Sequence, residues 1–155
     1  RGAVKVGLDE LLAAADIVSV NCPRTKETQG MIGAAAFAKM KPGALFVTTA
    51  RGGIHDEAAL EAALKEGRLS GAGLDVWDKE PPPTDHPLLR FANVLASPHT
   101  AGVTRESRHK VGTIAAEQLI GIFDGERPPR LLNPEAWPAY ATRYEKTFGD
   151  KVKAP

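Results

Sequence analysis

Four apolar runs, DIVSVNC at 16–22, ALFVTTA at 44–50, GAGLDV at 71–76 and NVLASP at 93–98, set the tightest limit on how this chain can fold. Each is nearly continuous in apolar and small residues instead of alternating with polar ones, as strands covered on both faces are. Such strands belong to parallel sheets, and each parallel step needs a crossover connection. The sequence between them supplies helical patterns. LDELLAAA at 8–15 suits a short helix, and AAAFAKM at 34–40 stops at KPG. From Asp56, the residues Leu60, Ala63 and Leu64 form one stripe; Asp56 is placed to cap the first turn and Gly67 to end the helix. The longest helix is predicted over about 104–124, where Val111, Ile114, Ala115, Gln118, Leu119, Ile122 and Phe123 recur at steps of three and four before Gly125.

Past residue 125 the character changes. ERPPRLLNP reads as a proline-broken connector, and Trp137, Tyr140, Tyr144 and Phe148 then place an aromatic face on a last helix. Such a stripe is expected to dock on a core, not to stack a ligand. PPPTDHP at 81–87 is expected to be an irregular loop. The expected division is therefore 1–125 and 126–155.

Composition excludes several function classes. Twenty basic against nineteen acidic side chains give a net charge of +1, which argues against a nucleic-acid partner. No apolar run approaches the roughly 20 residues that span a bilayer, and the charged start RGAVKVGLDE is unlike a signal peptide, so no membrane partner is expected. The single cysteine, Cys22, rules out an intrachain disulfide and suits a cytoplasmic protein. No metal site is expected.

A doubly wound sheet that binds a dinucleotide carries a G-x-G-x-x-G turn after its first strand. It is missing: Gly33 runs into alanines, Gly52 and Gly53 are adjacent, and Gly71-Ala72-Gly73 lacks the third glycine. Either the domain is of another α/β type, or the chain begins partway through a dinucleotide-binding domain whose first strands and phosphate loop precede Arg1. The expected fold is the second kind: the latter half of a Rossmann-type parallel sheet.

Arg51, Glu80 and His99 follow three of the proposed strands, so a parallel sheet brings all three to its carboxyl edge, where ligands bind. ARGGIHDEAALEAALKEGRLSGAGLDVWDKEP, followed by NVLASPHTAG, closely resembles the NAD-dependent D-isomer-specific 2-hydroxyacid dehydrogenases, over roughly residues 8–125. The arginine-glycine pair, the D-V-x-x-x-E-P block and the P-H-x-x-G turn stand in the family's order and spacing. The resemblance implies a two-domain enzyme, usually a homo-oligomer, in which this chain is the second half of the NAD-binding domain and residues 126–155 return to a substrate domain.

Position by position, the resemblance implies that Arg51 binds substrate, Glu80 is the catalytic glutamate and His99 the acid/base histidine. The chemistry fits those residue types. A 2-keto acid presents a carboxylate beside a carbonyl, and guanidinium offers both a planar, permanently charged fork. Histidine, with an unperturbed pKa of about 6.5, can supply the carbonyl oxygen's proton, and a neighbouring glutamate favours imidazolium and orients the ring. For the cofactor, NAD with NADP as the open alternative, the resemblance implies contacts from Cys22, Pro23, Thr49, Ala50, Arg51, Asp75, His99 and Gly102. Asn21 departs from the family, many of whose members have histidine there. His55 replaces a usually aliphatic residue and is read as non-catalytic, and His86 and His109 as solvated. Formate dehydrogenases share the architecture without the glutamate partner, so Glu80 favours hydroxyacid chemistry on a 2-keto or 2-hydroxy acid. The alternatives are a non-catalytic, NAD(H)-responsive interaction module and a chain that is inactive on its own.

Overall fold

The computed structural model describes residues 2–153, within two compact units that divide between Gly102 and Val103. In the first unit, β1 (Ile17–Val20), β2 (Ala44–Thr48), β3 (Leu69–Leu74) and β4 (Val94–Ala96) form one sheet in the order β1-β2-β3-β4. Every neighbouring pair is parallel. The helices α1 (Leu8–Ala14), α2 (Ala34–Lys39) and α3 (Glu57–Lys65) alternate with the strands. Asp56 caps α3 as predicted, its carboxylate accepting from the Ala59 amide at 2.9 Å. This is a Rossmann-like α/β arrangement.

One face of the sheet carries the core of this unit. Val18, Val20, Phe46, Ala72 and Leu74 are buried with Leu12, Phe37, Leu60 and Leu64 of the helices in one core. Phe37 meets Phe46 edge to face, with ring centroids 5.2 Å apart. The alternate residues are open: Ile17 is 60% exposed and Leu95 80% exposed. A pleated strand sends successive side chains to opposite faces whatever their polarity, so a continuous apolar run does not by itself prove two covers.

The second unit contains α4 (Arg105–Phe123) and α5 (Trp137–Phe148). Thr104 and Ser107 close a reciprocal capping box at the start of α4. On α5 the rings of Trp137, Tyr140, Tyr144 and Phe148 lie in a row. The Tyr140 hydroxyl donates to the Ile122 carbonyl at 2.6 Å and the Tyr144 hydroxyl to that of Phe123 at 3.1 Å. The aromatic face thus docks on the end of α4 through these two hydroxyls. Arg1, Ala154 and Pro155 lie outside the described residues. No residue of α4 is buried: along its periodic stripe Val111, Leu119 and Phe123 are exposed and Ile114, Gln118 and Ile122 half-buried. Among the described residues no helix is long and apolar enough to cross a membrane.

Candidate active site

Since all four strands run the same way, the turns that follow β2, β3 and β4 share one edge. The first carries Arg51, whose guanidinium donates to the Ala50 carbonyl at 2.6 Å. Next comes Gly52, where a Cβ would stand 2.0 Å from the Trp77 carbonyl oxygen, a distance no side chain tolerates. Gly53 adopts φ +76°, which L-residues disfavour. Two glycines therefore let the Arg51 turn pass directly beneath the segment that follows β3.

That segment, Trp77 to Glu80, is tied down at both ends. The Trp77 amide donates to Glu80 Oε1 at 3.1 Å, and its indole Nε1 donates to the Ser97 carbonyl at 3.1 Å. The Gly53 amide donates to Asp78 Oδ1 at 2.6 Å, which joins the segment to the Arg51 turn.

The third turn carries His99, held in the left-handed region at φ 57°, an uncommon conformation for a non-glycine residue. Buried Asp75 fixes it there. Its carboxylate accepts from the Ser97 hydroxyl at 2.6 Å, the Thr100 amide at 2.7 Å and the Ala101 amide at 2.9 Å. Burial, the largest single influence, pushes the Asp75 carboxyl up, but these donors together outweigh it and hold the carboxyl below its usual range.

The edge thus brings together all three residues expected to carry the chemistry. His99 Nδ1 lies 2.8 Å from Glu80 Oε2, and His99 Nε2 faces an Arg51 guanidinium nitrogen at 3.5 Å. Arginine only donates, so the neutral ring that satisfies both neighbours has its proton on Nδ1, donated to Glu80, and its lone pair on Nε2. That ring is a base whose free nitrogen faces a permanent cation. The hydrogen bond from His99, and then that from the Trp77 amide, hold the Glu80 carboxyl below its usual range, so Glu80 is ionised at neutral pH.

Cys22, Pro23, Thr49, Ala50, Arg51 and Glu80 line a cleft of about 800 Å³ at this edge. Gly102 is exposed and forms no part of its wall. Asn21 lies in the wall and accepts from the Thr49 hydroxyl at 3.3 Å. Sequence reasoning missed Arg24, which also lines the cleft and donates to the Gly52 carbonyl at 3.2 Å. Its one signal was a basic residue in the turn just beyond a strand.

His86, expected to be solvated, is not. Its side chain is 14% exposed, and Nε2 lies 3.1 Å from Glu57 Oε2, because the chain after the proline loop folds back as a 3-10 turn at Pro87–Arg90. His55 is 2% exposed, lies against the Phe46 ring and has no hydrogen-bond partner for either nitrogen among the described residues. His109 is exposed on α4, as expected.

The family model described as "D-isomer specific 2-hydroxyacid dehydrogenase, NAD binding domain" matches residues 1–101. The chain is 50% identical over 124 residues to a D-3-phosphoglycerate dehydrogenase of Archaeoglobus fulgidus, covering 80% of this chain and 24% of that protein. It is 48% identical over 128 residues to a glyoxylate reductase of Thermofilum pendens, covering 83% of this chain and 38% of that protein. Among solved structures, D-lactate dehydrogenase with NAD+ from Lactobacillus jensenii aligns with a TM-score of 0.75 at 34% identity, covering 80% of this chain and 41% of that one. The chain thus spans between a quarter and two fifths of the length of these proteins.

Proposed function

Because the chain belongs to the D-isomer specific 2-hydroxyacid dehydrogenase family through its NAD-binding domain, we propose that its cleft serves hydride transfer between nicotinamide and a small 2-keto or 2-hydroxy acid. The observation that carries this reading is the His99–Glu80 bond at 2.8 Å with Arg51 facing the ring's other nitrogen.

The residues present fit the cofactor. Among the described residues buried Asp75 Oδ2 accepts the Ala101 amide and keeps a second acceptor position that suits a carboxamide N–H. Thr49, Ala50, Cys22 and Pro23 give the cleft a wall for the rest of the nicotinamide half. The bound nicotinamide supplies or receives the hydride.

The chain's own residues do the remaining work. Arg51 grips the carboxylate and polarises the adjacent carbonyl, which draws charge onto its oxygen. In reduction, His99 as imidazolium gives its Nε2 proton to that oxygen, and the 2-hydroxy acid leaves with one hydride and one proton gained. In oxidation the neutral Nε2 takes the hydroxyl proton back. Glu80, kept ionised, holds the Nδ1 proton throughout and stabilises imidazolium when it forms. No observation favours the non-catalytic, NAD(H)-responsive reading.

The test is NADH oxidation by the protein that carries this chain, assayed with glyoxylate and hydroxypyruvate among other small 2-keto acids. Turnover is expected; no oxidation with any of them overturns the reading. Residues 1–155 by themselves hold no G-x-G-x-x-G turn, and on their own we expect neither turnover nor micromolar NADH binding by calorimetry.

A further inference from the structure

Behind the His99–Glu80 pair stands a second histidine–glutamate pair that the acid/base reading leaves unused. Glu57 opens α3 and points its carboxylate away from its own helix. Its Oε1 accepts the Asp78 amide at 2.8 Å, and its Oε2 faces His86 Nε2 at 3.1 Å. His86 Nδ1 in turn accepts the Leu88 amide at 3.3 Å. An accepting Nδ1 carries no proton, so the ring proton is on Nε2 and is donated to Glu57. The bonds form one chain, from the Leu88 amide to His86 Nδ1 and from His86 Nε2 to Glu57. A second proton on His86 would set an Nδ1–H against the Leu88 N–H.

The segment pinned by this pair is the one that carries Glu80. Glu57 holds Asp78 through its amide, and the His86 ring meets the Trp77 indole edge to face, with centroids 5.2 Å apart. Trp77 then holds Glu80 Oε1 by its amide and the His99 turn by its indole, while Asp78 holds the Arg51 turn through Gly53. Between them, the two pinned residues reach all three turns of the edge.

We infer that Glu57 and His86 are positioning residues that fix where the 77–80 segment presents the Glu80 carboxylate to His99. The inference rests on the acid/base reading above and adds to it two residues that touch neither substrate nor cofactor. A misplacement of the order of 1 Å in such a site costs up to about a hundredfold in rate, and a partial loosening about tenfold.

The test is a double-mutant cycle in the protein that carries this chain. His86→Phe keeps a ring against Trp77 but loses both hydrogen bonds. Glu57→Gln still accepts from Asp78 but sets an amide donor against His86. Each is expected to lower kcat about tenfold, to leave KM within about threefold, and to move the acidic limb of the pH–rate profile for 2-hydroxy acid oxidation, where His99 must be neutral, toward lower pH, as Glu80→Gln does. His86→Gln, which can still donate to Glu57, is expected to recover most of the rate. In a Glu80→Gln background the same changes are expected to cost under about twofold, because residues acting through Glu80 cannot act twice. Equal losses in both backgrounds overturn the inference, as does an unmoved limb; should His86→Phe not fold, Glu57→Gln decides alone. If Glu80→Gln itself leaves the profile unmoved, the acid/base reading fails and the inference falls with it.

Discussion

Two histidine–glutamate pairs lie in one unit of this molecule, and they differ in what each ring has left over. In His99–Glu80 the carboxylate takes Nδ1 and leaves Nε2 at the sheet edge beside Arg51; both side chains are 37% exposed. In His86–Glu57 the carboxylate faces Nε2 and the Leu88 amide takes Nδ1, so no nitrogen is left over, and the side chains are 14% and 16% exposed. The same two residue types thus make a reagent in one place and a brace in the other. What separates them is the second nitrogen's neighbour and the exposure of the ring, not the pair.

The largest effects should come from the reagent side. His99→Ala removes the proton carrier and Arg51→Ala the cation beside it, and each is expected to lower kcat/KM by about two orders of magnitude or more. Arg51→Lys should recover little, since an ammonium lacks the planar fork. Steady-state kinetics with the preferred 2-keto acid check this, and near-normal turnover by either alanine variant would erase the distinction between the two pairs.

A smaller effect separates the carboxylate from the ring it serves. Glu80→Gln keeps the shape of the side chain but removes the charge that stabilises imidazolium, so kcat/KM is expected to fall about tenfold. In the oxidation direction, where His99 must be neutral, the acidic limb of the pH–rate profile should move to lower pH, because the ring protonates less readily without its anion. An unmoved limb would count against Glu80 as the partner of His99.

The sequence carried the fold and the reagent pair more clearly than the brace. All four strands and the five helices lie where apolar runs and helical spacing predicted them, since burial and propensity leave local marks. Arg51, Glu80 and His99 were legible because each follows a strand, and parallel strands deliver their ends to one edge. Nothing local marks His86 as the partner of Glu57, 29 positions earlier. That contact exists only once the proline loop has folded back over α3. Which face of the sheet each apolar residue takes was hidden for a related reason: Ile17 and Leu95 read like Val18 and Val94, and only the placement of the helices separates them.

His55 extends the comparison to a histidine with no partner at all. It is buried beside Phe46, and neither nitrogen has a hydrogen-bond partner among the described residues. Burial holds its pKa below the ordinary value, with Glu57, Asp78 and Asp56 opposing only in part. The sign of the consequence follows. With a folded pKa below the unfolded one of about 6.5, the unfolded chain takes up a proton that the folded chain refuses. Its contribution is therefore intact above about pH 6.5 and is lost as pH falls from there toward the folded value. The loss is read between about pH 7 and 5.5, on either side of the unfolded value. His55→Phe fills the same space with nothing to protonate, and every other titrating group is common to both proteins, so the difference between their pH dependences isolates this ring. Urea unfolding at the two pH values should show the parent losing more stability than the variant as pH falls. Equal losses would mean that the His55 ring finds a partner on protonation and belongs with the paired histidines.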